Sequence, residues 1–201
     1  YRVIWGLGGI GGALLIPLAA LVASYLAIAG ERESGSIRFA LSLPIARGDL
    51  VLGKFLSRSA VVVGGILVSF LVGVVAAFVF IPGTTFEYGD YALFVLMTVL
   101  YALAYVSVAI ALSAATASRS RAMGAAIGFF FVFNLVWNFL PVGPVQMVRF
   151  LFDQFGMEAG RNLTTLIYTL SPTGSYLNGL QLVVPDAIFN SAPGAAAGGA
   201  W

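Results

Sequence analysis

The sequence predicts an all-α fold, a polytopic bundle of transmembrane helices in a single domain, and three observations lead there. Of the 201 residues 60% are hydrophobic and 9% are charged, with a mean hydropathy of +1.00. Soluble domains run at about 45–50% apolar and about 25% charged. The charges are also clustered: they leave four uncharged intervals, Val3–Gly30, Ser59–Phe86, Tyr91–Ser118 and Ala122–Val148, each 27 or 28 residues long. A helix rising about 1.5 Å per residue covers roughly 42 Å in such a length, matching a bilayer with its interfaces. Finally, none of these intervals alternates in polarity as the roughly ten-residue strands of a membrane barrel do. In hydrocarbon every backbone N–H and C=O needs a partner within the segment, and a helix supplies it.

The predicted spans are Ala13–Ala29, Ala60–Ile81, Tyr91–Ala114 and Ala122–Leu140. Residues 30–59 connect the first two and carry Arg32, Arg38, Arg47, Lys54 and Arg58. Ala115–Arg121 carries Arg119 and Arg121, whereas Pro82–Asp90 holds Glu87 and Asp90 and no Lys or Arg. The positive-inside rule therefore assigns the first and third of these connections to the cytoplasm, and the N-terminal end and everything beyond Leu140 to the outside. A first span with its N-terminus outside needs something upstream to bring it there, so a longer protein with at least one preceding helix is expected. Residues 141–185 form an external segment, in which Asn162–Pro185 is uncharged but too polar and too broken by Pro172, Gly174 and Gly179 to span. They are expected to form short helices, over Val142–Gly179, at or dipping into the outer interface. Residues 186–201 read as a flexible tail.

Several function classes fall away. Cysteine and histidine are both absent, which excludes metal sites built on them and Ser-His triads within this chain. A net charge of +2 from ten basic and eight acidic residues gives no stripe for nucleic acid. Gly6–Gly11 satisfies G-x-G-x-x-G with Glu31 beyond it, but an unbroken apolar stretch replaces the expected helix and second strand. Close helix packing through Gly8 and Gly12 is the better reading. Gly48–Phe55 nearly fits a phosphate-binding loop, yet Phe55 stands where a hydroxyl would ligate Mg²⁺. No Asp, Glu, Lys or Arg lies inside any predicted span, which argues against proton-coupled transport and charge-ring channels. No catalytic, cofactor-binding or metal-binding residue is assigned.

Residues 31–54 carry the functional signal. Ser34 or Ser36 suits the N-cap of a short helix ended by Pro44, with Ile37, Ala40 and Leu41 on one face and Phe39 and Leu43 beside it. Asp49–Arg58 reads as a second amphipathic helix leading into the next span. An apolar-faced helix flanked by charge fits either a groove on a partner or the inner membrane surface. Physics alone does not choose. In the fourth span Asn134 and Asn138 share a face beside Trp137, as a polar substrate path or as interhelical hydrogen-bonding groups. Ser113 and its neighbours Tyr101, Tyr105 and Ser107 are open to the same two readings.

The run ERESGSIRFALSLPIARGDLVLGKFLSR, residues 31–58, resembles the loop signature of ABC-2 type permeases, in particular the branch that holds the nitrous-oxide-reductase copper-maturation permease. Glu31–Ser36, Ser42–Arg47 and Gly53–Lys54 carry the likeness, and Leu170–Tyr176 (LSPTGSY) is similar to a second stretch of that branch. The resemblance implies a six-helix half-transporter of the type V exporter kind, with four spans present here. It implies a coupling helix, Ser34–Leu43, docked on an ABC ATP-binding subunit that holds the ATP and Mg²⁺, so that this chain needs no cofactor and is no enzyme. It also implies a second permease subunit and a multi-pass place in the plasma membrane of a prokaryote. In that reading Ile37, Phe39, Leu41 and Leu43 form the docking face. Glu31, Arg32, Glu33, Gly35, Ser36, Arg38 and Arg47 shape and orient it, and Val145–Gly179 forms an external re-entrant gate. The alternative is a membrane scaffold protein whose basic loop binds lipid or another partner.

Overall fold

The computed structural model describes residues 2–37, 46–80, 88–138, 140, 143–157 and 159–181, and among them there is no strand. The helices are α1 (Arg2–Ser24), α2 (Ala29–Ser34), α3 (Arg47–Phe80), α4 (Tyr88–Ala115), α5 (Arg119–Phe130), a π-helical turn (Phe131–Val136), α6 (Pro144–Gln154), α7 (Arg161–Thr169) and α8 (Pro172–Leu180). Three stretches among the described residues are long and apolar enough to cross a membrane: Gly11–Ser34, Arg47–Phe80 and Tyr88–Ala115. The chain divides into two compact units, one formed by residues 16–128 and the other by residues 1–15 with 129–201.

In the first of these units α4 is the central element. Its buried residues Thr98, Tyr101, Ala102, Tyr105, Val106, Ala109, Ile110 and Ser113 recur at alternating intervals of three and one, which is one continuous stripe along a 3.6-residue helix. Ala102 and Ala109 are fully buried, and small side chains let neighbouring backbones approach. α3 packs on α4. The Tyr91 hydroxyl donates to the Phe70 carbonyl (2.7 Å), and Phe70 meets Tyr91 and Phe94 edge-on at 5.7 and 5.2 Å. α3 itself buries little. Leu67, Val68, Leu71, Val72, Val75, Phe78 and Val79 are all exposed, an apolar surface suited to lipid tails or to another membrane helix.

The structure settles the continuity of the first two spans. The first span is interrupted: Tyr25–Ile28 form a turn, and α2 resumes at Ala29. The Asp49–Arg58 segment and the second span are one helix, α3, 34 residues long. Asp49 starts it by accepting from the Ala46 N–H (3.2 Å), a third-residue acid reaching back to the cap. No proline lies between Asp49 and Phe80 to interrupt the helix. The fourth predicted span also differs, because α5 gives way to the π turn at Phe131. A π turn frees a backbone acceptor, and the Asn138 amide takes up the slack by donating to the Phe133 carbonyl (2.9 Å) and the Asn134 carbonyl (3.3 Å).

In the second unit the predicted short helices are α6, α7 and α8, packed in sequence, with α8 against the π turn. Pro144 and Pro172 sit in the first turns of α6 and α8, where a missing N–H costs nothing. Gly156 ends α6 with φ +65, a left-handed cap that favours glycine. The dinucleotide-like glycines at 6–11 lie within α1, and the phosphate-loop-like run 48–55 lies within α3. Neither forms a strand-to-helix turn.

Candidate functional site

The root of the 30–59 connection is built from three consecutive charged residues. Each meets a different helix. Lys54 of α3 forms an ion pair with Glu31, with side chains 28% and 34% exposed. The Arg32 Nη1 donates to the Thr116 carbonyl (2.9 Å), just beyond the end of α4. The Arg119 N–H, first in α5, donates to the Glu33 carboxylate (2.5 Å). The last two contacts satisfy backbone groups that helix ends leave unpaired. Their charges are also the right way round: a cation where α4 ends and an anion where α5 begins.

A fourth tie lies just above. Ile28 and Ala29 lose their ordinary helical acceptors at the Tyr25–Ile28 turn, and both N–H groups donate instead to the Ser113 hydroxyl oxygen (3.0 and 2.9 Å). Ser113 is fully buried on α4. α2 ends at Gly35, whose φ of +79 is the left-handed C-cap and whose N–H bonds back to the Arg32 carbonyl. The hydroxyls of Ser34 and Ser36 donate to the Glu31 carbonyl (3.2 and 3.4 Å). Ser34 thus closes α2 and does not open the next helix, which corrects the expected start of Ser34–Leu43. Ile37 is helical and half-buried, and Arg47 is exposed at the start of α3. Arg38, Phe39, Leu41 and Leu43 lie outside the described residues.

The second polar cluster joins the π turn to α8. Asn134 is wholly buried; its amide donates to the Ala13 carbonyl (2.8 Å), and its Oδ1 has no partner. The Asn138 Oδ1 accepts from the Ser171 hydroxyl (3.0 Å), and the Ser171 oxygen accepts in turn from the Gly174 N–H (2.9 Å) as the cap of α8. The Trp137 indole N–H donates to the Ile167 carbonyl (3.0 Å), and Trp137 stacks on Phe133, which stacks on Phe129. Both asparagine amides are thus spent on backbone carbonyls. Burial pushes the neighbouring Tyr168 hydroxyl above its ordinary pKa. Residue 174 must be glycine: a Cβ there would fall on the Tyr168 carbonyl.

Sequence reasoning singled out the charges of residues 31–33 but aimed them outward. It missed Lys54, Thr116 and Arg119 as their partners, and left Ser113 undecided. Among the described residues no three His, Cys, Asp or Glu side chains gather to hold a metal ion.

An all-helical fold, three long apolar helices and an exposed apolar surface define a membrane helix bundle. The chain belongs to the ABC-2 family of transporter proteins, whose family pattern ("ABC-2 family transporter protein") it matches over residues 11–197. It is similar to two curated proteins, each named "Probable ABC transporter permease protein NosY". The one from Pseudomonas aeruginosa is 32% identical over 126 residues, and the one from Stutzerimonas stutzeri is 30% identical over the same length. Each match covers 62% of this chain and 46% of the relative. The matched stretch thus spans just under half the length of those relatives.

Proposed function

We propose that this chain is the membrane-spanning permease subunit of an ABC transporter. In this reading it is an exporter in which ATP hydrolysis by a separate ATP-binding subunit drives cargo outward. The observation that carries it is the 30–59 connection. Ordinary helix–helix turns need about 2–8 residues. Within this connection residues 35–46, which separate α2 from α3, exceed that length; the connection is clipped at its root to three helix segments, and its sequence carries Ile37, Phe39, Leu41 and Leu43 in an apolar, charge-flanked pattern. The role named for the two relatives, permease of an ABC transporter, supports bringing the same role here.

The mechanism follows from that placement. The apolar residues seat in a groove on the ATP-binding subunit. Arg38 and Arg47 set register by charge. Glu31, Arg32 and Glu33 are occupied within the chain and serve as its anchor. ATP and Mg²⁺ belong to the partner; this chain contributes no catalytic group and binds no cofactor. A second permease subunit completes the pathway, in the plasma membrane of a prokaryote with residues 30–59 inside. Predicted spans without Asp, Glu, Lys or Arg favour amphipathic cargo over ions. The test is co-purification: an ATP-hydrolysing subunit should accompany the permease, and Phe39→Asp with Leu41→Asp should weaken the association at least tenfold. Full retention, or a partner without ATPase activity, contradicts the reading; salt-sensitive binding of the loop to anionic vesicles alone would instead mark a scaffold.

A further inference from the structure

α2 is tied by side chains to three helix segments besides the helix it continues. Toward α1 the backbone turns at Tyr25–Ile28, where Ala27 N–H donates to the Ser24 carbonyl (3.0 Å) and Gly30 N–H to the Leu26 carbonyl (3.3 Å), while the Ile28 and Ala29 N–H groups leave the helical ladder. Toward α4 the Ser113 oxygen accepts both displaced N–H groups. Toward α3 there is the Glu31–Lys54 pair, and toward the α4–α5 turn the Arg32–Thr116 and Glu33–Arg119 bonds. Residues 31, 32 and 33 thus address three helix segments that lie 23 to 86 positions away in sequence.

We infer that Glu31, Arg32 and Glu33, with Ser113, Lys54, Thr116 and Arg119, form a transmission clip. It carries movement of residues 35–46, between α2 and α3, to α3 and to the α4–α5 turn through side chains, in addition to the backbone bonds that join α2 to α1. This rests on the proposed reading in one respect, that the connection is where an ATP-binding subunit pushes. The clip suits the task. Two of its contacts are made to helix ends, so a push on α2 acts along those helices. The third is an ion pair a third exposed, which tolerates reorientation because charge attraction varies slowly with angle. Gly30 leaves the Arg119 side chain ordinary van der Waals room, 3.9 Å from where a Cβ would lie. These seven are positioning residues and touch no cargo.

These 201 residues contain no cysteine, so two introduced at Ser57 of α3 and Ser120 of α5, both exposed, carry the spin labels once any thiol elsewhere in the complex is replaced. The full permease with its ATP-binding subunit is placed in lipid nanodiscs, and the label separation is measured with ADP and with ATP plus vanadate. The separation should change between the two states in the otherwise unaltered protein. Arg32→Ala with Glu33→Ala should reduce that change at least threefold, with co-purification of the ATP-binding subunit kept within twofold. Glu31→Lys should do the same, and Glu31→Lys with Lys54→Glu should restore the change, an outcome that a general folding defect cannot produce. If the clip-broken variants show the full change, or if the unaltered protein binds its ATPase without any change, the transmission clip is overturned. If no ATPase accompanies the unaltered protein, the proposed function fails first and the clip's role falls with it.

Discussion

The two polar clusters hold helices together by opposite means. The one at the root of residues 30–59 uses charged, half-exposed side chains aimed at helix ends, and each contact can be remade by another residue of the same charge. The one between the π turn and α8 uses neutral amides and a hydroxyl, is largely buried, and is closed sterically by a glycine that admits no Cβ. A buried neutral network is costly to open because each lost bond leaves an unsatisfied group in low dielectric. An exposed ion pair is cheap to open. The difference teaches where the chain is built to stay still and where it is built to move.

Four substitutions test that contrast, in falling order of effect. Gly174→Ala drives a methyl group into the Tyr168 carbonyl, and we expect a loss of about 3 kcal/mol or more, read as a lowered thermal midpoint in detergent. A tolerated alanine would break the comparison. Asn138→Leu removes two donations and one acceptance in the buried cluster. The expected cost is about 2 kcal/mol, since each orphaned buried group costs about 1–3 kcal/mol and membrane-embedded bonds fall at the low end. Ser113→Ala orphans the Ile28 and Ala29 N–H groups. It should cost about 1–2 kcal/mol and speed amide exchange at those two positions, leaving α8 unchanged. Glu31→Gln should cost at most about 1 kcal/mol, because the pair is substantially exposed to solvent screening. A larger loss there than at Asn138 would reverse the contrast.

Much of the helical layout was legible in the sequence, because apolar runs set apart by charge report directly on burial in lipid. What escaped is instructive. Nothing in Tyr25-Leu-Ala-Ile28 announces a break; the only proline nearby is Pro17, inside α1. The turn exists because Ser113, 85 residues away, offers an acceptor. The charges of residues 31–33 were visible, but a charge does not say whether its partner lies in its own chain. The π turn was invisible for a related reason: a four-residue spacing of asparagines reads alike in an α-helix and a π turn. The helix expected over Asp49–Arg58 does lead into the next span, and with no proline in between the backbone runs on unbroken as α3.

The account depends most on what residues 30–59 touch. These 201 residues hold no cysteine, so Phe39→Cys carries a photo-crosslinker as their one thiol, in the full transporter, with any thiol outside them replaced, in sealed membrane vesicles of known orientation. We expect an adduct with the ATP-hydrolysing subunit, formed only when the crosslinking reagent reaches the inner face. Labelling from the outer face, or transport proceeding with no protein adduct at that position, would contradict it.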